Sequence, residues 1–493
     1  MRALIAIRHC LQTSSRSTGG VYSLALAIVL TWATMAGAQA TDGSMLLHVS
    51  TDNPRYFANA ANDIVYLASA YWGHELTDYA FGAGRSVYAT VEQGLVERNM
   101  NLLRLWTTET TGAEETSHRT ASMPWQRSGI CCAADGGNKW DLDVFSLGHR
   151  DRLDVNAVEY FERMRARILA LRKQGIYVMV MLFHSFGWEK NLRIPDNNSW
   201  GWHPYAKGNN VNGVDADENA DGQGLEMGLQ QNAVYDRELA YVRQVLYTVR
   251  DLDNVLIEIC NECYDGASEN DWQNDLITYV HRHEIAFQSM RHPVVMTSLQ
   301  NFNNVPLAQS AAEAVEYGGP SEATNPVKND ATKVNLSDSD HTNPCVDVPS
   351  ISWPWRAFTR GHNLAFIYCK GADTPSENEE LVITRMAQTR TYAARLNLKS
   401  AVPNDQAGEC STEYCLIGPT EVLGYLPTGG TITLTVLAPG MWTIEWFDPA
   451  TGQTLPAAAI TIDRTGQAVT VEAPFDGDAV LFATQAGRLG MTQ

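Results

Sequence analysis

Short apolar segments alternate with longer amphipathic segments from Asp63 to Leu398, and this alternation constrains the fold more than any other feature. Parallel strands buried on both faces are continuous apolar runs, whereas helices show three- and four-residue spacing. Eight such runs alternating with helices predict a (β/α)8 TIM barrel, a fold that commonly occupies ~250 residues and grows by insertion. The predicted strands are Ile64–Ala70, Leu102–Trp106, Ile176–Phe183, Val255–Ile259, Pro293–Thr297, Ala314–Tyr317, Val334–Ser337 and Leu364–Tyr368.

Four amphipathic segments of the barrel region are predicted helices. The first of them ends at Gly175, a suitable residue for a helix C-terminus. The long connection from His184 to about Gln231 follows the third strand, where an active-site insertion is expected. The predicted helices are Val155–Gln174, Ala233–Arg250, Asp271–Ser289 and Glu377–Leu396.

Past about Ser400 the sequence changes to short strands separated by turn residues, which predicts a small all-β sandwich. No low-complexity linker precedes it, so we expect it to pack closely on the barrel. The predicted division is a signal peptide over 1–40, a catalytic barrel over 41–398 and a sandwich over 399–493. The predicted sandwich strands are Thr431–Leu437, Trp442–Phe447, Ala459–Asp463, Ala468–Glu472 and Ala479–Ala483.

The amino-terminal segment has the pattern of a secretory signal peptide. Three arginines precede an apolar run, Val21–Met35, and small residues at Ala38 and Ala40 fit a cleavage site. We expect cleavage near Ala40 and a secreted protein, extracellular or periplasmic. The alternative is an uncleaved amino-terminal anchor. No later segment reaches the ~18 apolar residues that a membrane-spanning helix needs.

The chain is strongly acidic, with a formal net charge of −20, and the signal segment carries basic but no acidic residues. Such a surface repels phosphate backbones and anionic lipids, so we expect no nucleic-acid and no membrane partner. It suits a neutral or cationic substrate.

Of the nine cysteines, all but Cys10 follow the signal segment, and an even number in an exported protein permits disulfides. Sequence does not choose among the pairings, which number 105 for eight cysteines. Cys410 and Cys415 could close a hairpin. Cys260 and Cys263 have the spacing of a redox motif, but the absence of a second such pair in the sequence disfavours zinc or redox chemistry there.

Polar residues follow several of the predicted strands, and reactive groups of a TIM barrel lie at these carboxyl ends. Acids after the fourth and seventh strands would face each other across the barrel mouth, as glycoside cleavage requires. A metal site or a structural loop is the alternative for the run after the seventh strand. The strand-end candidates are Arg104, Trp106, His184, Asn261, Glu262, Tyr317, Asp338, Asp340 and His341.

The segment Asn254–Glu262 (NVLIEICNE) resembles the fourth-strand motif of clan A glycoside hydrolases. The chain as a whole resembles a family of secreted barrels labelled as bearing a collagen-binding domain. The matching segments cover most of the barrel in order and extend into the sandwich. They are Asn53–Phe57 (NPRYF), Trp140–Phe145 (WDLDVF), Gly175–Phe183 (GIYVMVMLF), Asn209–Gly213 (NNVNG), Asp253–Glu262, Asp338–His341 (DSDH), Trp355–Asn363 (WRAFTRGHN), Glu445–Gly452 (EWFDPATG) and Ala473–Leu481 (APFDGDAVL).

The resemblance implies that Glu262, preceded by Asn261, is the general acid/base. It also implies a nucleophile after the seventh strand, where clan A usually has Glu and this chain has Asp. We prefer Asp338 to Asp340 because Asp338 comes first after the apolar strand. An Asp is one methylene shorter, so the backbone must approach the sugar more closely.

The remaining strand-end residues are expected to bind substrate. Arg104 would keep the nucleophile ionised, or alternatively bridge barrel carboxylates such as Glu258. His184 and Tyr317 would line the sugar site, with Tyr317 donating to the nucleophile; a packing role is the alternative for each. Sugar rings stack on aromatic faces, and the predicted platforms are Trp72, Trp106 and Trp188, although several tryptophans near the mouth must belong to the core.

An acidic run in the long insertion resembles a calcium loop, because oxygen ligands occur at every second residue. Neither register of an EF-hand is complete, so a structural Ca²⁺ and a solvated acidic loop both remain open. The candidate ligands are Asp215, Asp217, Asn219 and Asp221.

The sequence therefore predicts a secreted enzyme that hydrolyses O-glycosidic bonds of a poly- or oligosaccharide by a retaining two-carboxylate mechanism, without an organic cofactor. One alternative is a non-catalytic protein that binds polysaccharide or matrix on a barrel scaffold. The other is a metal-dependent hydrolase with Asp338, Asp340 and His341 as ligands.

Overall fold

The computed structural model describes most of the chain after the predicted signal segment. The described residues belong to one compact unit, Gln39–Gln493. They are 44–71, 75–76, 87–107, 123–148, 159–185, 188, 200–230, 232–263, 267–287, 290–297, 304–339, 350–368, 375–404, 406, 408–456 and 458–486. The predicted signal peptide lies outside them, and the predicted domain boundaries remain predictions.

A three-stranded antiparallel sheet precedes the barrel and consists of β1 (His48–Val49), β2 (Phe57–Ala58) and β3 (Ile64–Val65). The prediction of a single strand over Ile64–Ala70 was therefore wrong in its first half. Side-chain amides explain the break, since Asn363 accepts from the backbone N–H of Leu67 and Asn101 from that of Ala68.

Eight parallel strands then close into a barrel in sequence order, which confirms the predicted TIM-barrel fold. Their bounds differ from the predicted ones by only a few residues at each end. The barrel strands are β4 (Ala68–Tyr71), β5 (Leu102–Trp106), β8 (Tyr177–His184), β9 (Val255–Asn261), β10 (Val294–Thr297), β11 (Ala314–Glu316), β12 (Val334–Asp338) and β13 (Asn363–Ile367), and the hairpin strands β6 (Trp125–Cys131) and β7 (Asn138–Phe145) lie between β5 and β8 in sequence.

Helices connect the barrel strands, and the four predicted helices are confirmed as α-helices. The last helix begins with a capping box, in which Ser376 and Glu379 exchange hydrogen bonds between side chain and backbone. In the part of the chain that the structure describes, no helix is both long and apolar enough to cross a membrane. The helices are α1 (Val87–Glu97), α2 (Tyr160–Lys173), α3 (Tyr235–Val249), α4 (Ala267–Phe287), α5 (Val305–Gln309), α6 (Pro320–Thr324), α7 (Trp353–Thr359) and α8 (Glu377–Ala393).

The barrel interior is apolar at the amino ends of the strands and charged at their carboxyl ends. Side chains alternate along a strand, so Leu102 and Arg104 of β5 share the interior, as do Leu336 and Asp338 of β12. Apolar residues from several strand starts form one cluster with Met45, Leu47 and Phe57. The β1–β3 sheet therefore closes the amino end of the barrel.

The carboxyl-terminal region is a sandwich of two antiparallel sheets, as predicted. The strands are β14 (Val402–Pro403), β15 (Cys415–Ile417), β16 (Glu421–Leu426), β17 (Thr431–Leu434), β18 (Gly440–Asp448), β19 (Gln453–Pro456), β20 (Ile460–Ile462), β21 (Val469–Glu472) and β22 (Ala479–Gln485). The large sheet has the order β14-β15-β16-β22-β18-β19, with β20 also paired to β18, and β17 and β21 form the small sheet.

Four of these strands, β14, β15, β16 and β19, were absent from the sequence prediction. Strand β16 contains Gly424, a residue that weakens strand patterns. A Cβ atom at Gly424 would lie 2.5 Å from Ile432 Cδ1 of the facing sheet. The glycine therefore allows the two sheets of the sandwich to approach each other.

The outer face of the large sheet packs on the barrel. The Trp355 ring of α7 lies 6.1 Å from the Tyr425 ring and 6.1 Å from the Phe447 ring, centroid to centroid. Tyr392 of α8 lies 5.8 Å from Phe482. This apolar contact agrees with the expected close packing of barrel and sandwich.

Candidate active site

Arg104 is the centre of a buried network at the carboxyl end of the barrel. Its side chain is 0% exposed and lies on β5, inside the barrel. The guanidinium donates to both carboxylate oxygens of Glu258, at 2.5 and 2.8 Å, and to Asp338 Oδ2 at 2.6 Å. It also donates to Asn261 Oδ1 at 2.8 Å. The two contacts considered for Arg104, with the predicted nucleophile Asp338 and with Glu258, are therefore both present.

Tyr71, the last residue of β4, provides the hydroxyl beside Asp338. It donates to the carboxylate oxygens of Asp338 at 3.0 and 3.1 Å and accepts from Arg104 Nη1 at 2.8 Å. The sequence predicts Tyr317 as the hydroxyl donor to Asp338. That residue is only partly buried just after β11, and the described structure contains no hydrogen bond between it and Asp338. Its neighbour Glu316 occupies the interior side of that strand instead.

Glu316 adds a third carboxyl group to the network, with Oε2 3.4 Å from Arg104 Nη2 and a fully buried side chain. Alternation along β11 could have identified it, because Ala314 and Glu316 share one face and Ala314 belongs to the barrel interior. Three buried acids thus surround one guanidinium. Burial raises the pKa of Glu258, which the Arg104 charge opposes and the Asp338 charge reinforces.

The Arg104 guanidinium stays protonated in this buried setting. Burial alone would lower the pKa of Arg104, but the charges of Glu258 and Glu316, with smaller effects from Tyr71 and Asp338, hold it well above its ordinary value. A permanent cation therefore lies beside the Asp338 carboxylate.

Glu262 follows directly after β9 and is partly exposed. Its backbone has a φ of 51°, in the left-handed region that residues other than glycine seldom adopt. The Ser185 hydroxyl donates to the Glu262 carbonyl oxygen. Since Asn261 also accepts from Arg104, the predicted acid/base is one residue from the network that holds Asp338.

Two further predicted residues lie beside this network. His184 ends β8, pairs with Asn261 of β9 and is buried. Its ring centroid is 5.8 Å from that of Trp106, and the Trp106 ring is 5.6 Å from the Arg104 guanidinium carbon. Trp106 is partly buried. Both side chains are therefore at the carboxyl end of the barrel, where the substrate site is predicted.

Trp188 has a different position from the one expected of a sugar platform. It is 1% exposed and packs edge-on against Trp272 of α4 with ring centroids 5.8 Å apart. These contacts give it a core role, because a side chain that is buried on protein offers no free face to a sugar. Trp72, Asp340 and His341 lie outside the described residues.

The acidic run of the insertion is a loop in which side-chain oxygens accept hydrogen bonds from backbone N–H groups of the same loop. Asp217 accepts from the N–H groups of Asp221 and Gly222 at 3.0 and 2.9 Å, and Asn219 accepts from Asp221 at 2.8 Å. Asp215 accepts from Asp217. Within the described ranges, no group of three or more His, Cys, Asp or Glu side chains is arranged to hold a metal ion. A structural Ca²⁺ in this loop remains a prediction.

Comparison with known proteins gives similarity in structure only. No family model and no curated protein sequence matches the chain. A solved glycoside hydrolase has a TM-score of 0.55 at 10% identity, covering 91% of this chain and 99% of its own. A glycoside hydrolase family 5 structure from Bacteroides vulgatus has a TM-score of 0.56 at 9% identity, covering 91% and 95%.

The chain has the fold of solved glycoside hydrolases. A third structure, also from Bacteroides vulgatus, has a TM-score of 0.58 at 14% identity, covering 91% of this chain and 83% of its own. At these identities the similarity concerns the fold, and the chemistry must be argued from the site.

Proposed function

We propose that this protein is a secreted glycoside hydrolase that cleaves O-glycosidic bonds of a poly- or oligosaccharide, with Glu262 and Asp338 as its two carboxylates. The observation that carries the proposal is the position of Arg104, which hydrogen-bonds both Asp338 and the neighbour of Glu262, Asn261. This contact links the ends of β9 and β12 across the barrel mouth. The fold similarity to solved glycoside hydrolases supports the same function.

In the proposed mechanism Asp338 attacks the anomeric carbon while Glu262 protonates the leaving oxygen. Arg104 and Tyr71 orient the attacking carboxylate through the hydrogen bonds that they donate to it. Glu262 then removes a proton from water, which cleaves the glycosyl-enzyme ester with net retention. Retaining enzymes place the two carboxyl groups ~5–5.5 Å apart, whereas ~6.5–9.5 Å would mean inversion.

The burial of Asp338 keeps two alternatives in the proposal. Its side chain is 0% exposed, so Asp340, two residues further along, remains the alternative nucleophile. The same burial favours a second candidate function, in which the Arg104 network is purely structural and the barrel binds a polysaccharide without cleaving it.

Export and disulfide formation complete the proposal. A secreted chain meets oxidising conditions, and two cysteine pairs lie at distances that a disulfide spans. The Cα atoms of Cys260 and Cys263 are 5.9 Å apart, and those of Cys410 and Cys415 are 6.6 Å apart. We propose that both pairs are oxidised in the mature protein.

A hydrolysis screen tests the function directly. The purified mature protein is offered aryl-glycosides and plant or microbial polysaccharides, beside the Glu262→Gln variant and a matched Glu97→Gln control at an exposed position of α1. Release of reducing sugar by the wild type and the control, but not by Glu262→Gln, is expected. Binding of a polysaccharide with no hydrolysis in any sample would favour the second candidate.

A further inference from the structure

Cys260 and Cys263 flank the dipeptide Asn261-Glu262, which contains the proposed acid/base. Both cysteines are buried, at 0% and 1% exposed, and both belong to the apolar cluster around the barrel. Their Cα separation of 5.9 Å lies in the usual range for a disulfide. A bond between them closes a small ring in which Glu262 is a member.

The first side of this ring is fixed by the sheet. Cys260 pairs with Phe183 in the β8–β9 ladder, and the Thr297 hydroxyl of β10 donates to the Cys260 carbonyl oxygen. The second side begins after the ladder ends at Asn261. Glu262, at a φ of 51°, is where the chain turns away from the strand.

That turn needs support, because a left-handed conformation is unfavourable for a residue with a Cβ atom. The Ser185 hydroxyl holds the Glu262 carbonyl, and Cys263 is the next residue along the chain. A covalent bond from Cys263 back to the ladder residue Cys260 would exclude the extended alternatives of Glu262. Held this way, the carboxyl group is presented at the mouth before substrate arrives.

We infer that the Cys260–Cys263 disulfide is a positioning device for the general acid/base Glu262, and this inference rests on the proposed function. The bond forms by exchange with an oxidised disulfide oxidoreductase. The two thiols give up two protons and two electrons, and the oxidoreductase leaves as a dithiol. Neither cysteine is a catalytic residue, since their action is through Glu262.

Burial separates this role from redox catalysis. Thiol–disulfide exchange needs an attacking thiolate to reach a sulfur atom, and reactive cysteines are partly exposed. Cys260 and Cys263 are both closed off in the folded protein. The C-x-x-C spacing therefore serves conformation, and folded protein should resist small thiol reductants.

The test compares two double variants of the full mature chain. Cys260→Ala/Cys263→Ala removes the proposed device, and Cys410→Ala/Cys415→Ala removes a second cysteine pair, in the sandwich, as a matched control. Thiol alkylation of denatured, unreduced wild type first establishes that both pairs are oxidised. Turnover is then measured on a glycoside with a poor leaving group and on its dinitrophenyl analogue.

Loss of the positioning device should lower kcat on the poor leaving group by about 10- to 100-fold, since small misplacement of a catalytic group costs up to that much. KM should change little. The dinitrophenyl substrate needs little protonation, so its turnover should fall much less in the glycosylation step. The sandwich variant should keep the wild-type ratio between the two substrates.

Three results would overturn the inference. They are free thiols at Cys260 and Cys263 in the unreduced wild type, an equal loss on both substrates, and the same substrate ratio in both double variants. If the alanine pair does not fold, Cys260→Val/Cys263→Ala keeps more of the apolar volume and takes its place. A wild type that hydrolyses no glycoside would instead defeat the proposed function itself, and the inference with it.

Discussion

Arg104 Nη1 lies 2.6 Å from Asp338 Oδ2, in a contact from which solvent is wholly excluded. The pair joins β5 to β12 across the barrel, and Glu258 binds the other edge of the same guanidinium. A contact of this kind has two consequences. It fixes the position of an acid at the mouth, and it makes the barrel sensitive to loss of the cation.

Arg104→Met should therefore destabilise the protein strongly. The substitution leaves the buried carboxyl groups of Glu258 and Asp338 without their cation, and breaking a buried pair typically costs about 3–5 kcal/mol. Urea unfolding measures the loss. The control is Arg165→Met, whose pair with Asp251 is partly exposed, at 29% and 55%, and should contribute no more than about 1 kcal/mol. Equal losses in the two variants would contradict the prediction.

Tyr71→Phe should lower kcat by roughly 10- to 100-fold, because it removes a hydrogen bond to a charged carboxylate that is worth about 1.5–3 kcal/mol. The ring stays in place, so the fold should survive. Tyr317→Phe is the matched variant and should have little effect on kcat. The reverse order of effects would restore Tyr317 as the donor and show that the Tyr71 contact is not functional.

Glu262→Gln keeps the shape of the side chain and removes its proton. Hydrolysis of natural substrate should fall by ~10²–10⁴-fold, the usual contribution of general acid–base catalysis. An aryl-glycoside with a good leaving group should lose less in the glycosylation step. Steady-state and burst kinetics on the two substrate types provide the measurement, and wild-type turnover on natural substrate would rule out the assignment.

Asp338→Gly should abolish hydrolysis and leave a cavity beside the anomeric carbon. Added azide or formate should then restore turnover of an activated substrate, and azide should give a glycosyl azide of inverted configuration because only one displacement occurs. Asp340→Gly is the matched variant. Rescue of Asp340→Gly alone would move the nucleophile by two residues, while loss of bound metal in both variants without rescue would favour a metal-dependent hydrolase.

The stability of the barrel should depend on pH through Glu322, a buried acid at the start of α6. Burial raises its pKa to about 7, and the Val327 N–H and the Arg360 charge only partly oppose the rise. A raised carboxyl pKa means that stability is full below the unfolded pKa and falls as pH rises towards 7. Glu322→Gln should remove this fall, gaining up to about 3 kcal/mol relative to wild type between pH 4.5 and 8. A difference in unfolding free energy that stays constant over that range would contradict this explanation.

The barrel could be predicted because its strands carry their own signal. In β8, Val178 faces the helices and Met179 faces the barrel interior, and in β9 the same holds for Val255 and Leu256. All four are apolar, so burial on both faces is visible in the sequence. The start of the first barrel strand could not be predicted from local sequence. The side-chain amides of Asn101 and Asn363, both distant in sequence, determine where its ladder begins.

The positions of some candidate residues could be predicted from the sequence, and those of others could not, for a physical reason. Strand ends identify which residues reach the mouth, and they gave Arg104, His184 and Asn261. Strand ends do not show which way a side chain faces. The sequence therefore points to Tyr317, although Glu316 is the residue of β11 that contacts Arg104. Tyr71 gave no signal of its own, since a tyrosine in an apolar strand is an ordinary core residue.

The large sheet of the sandwich has both faces occupied, one by α7 and α8 and the other by the small sheet. A sheet covered on both sides has no broad platform to offer a polymer such as collagen or cellulose. Recognition by this module would have to use the unpaired edges at β14 and β19, or the threonine-bearing outside of β17 and β21, where Thr433 and Thr470 meet at 2.8 Å. Within the described residues, the module therefore supports α7 and α8 of the barrel, and its strand edges and the outer face of its small sheet are what it can offer to a polymer.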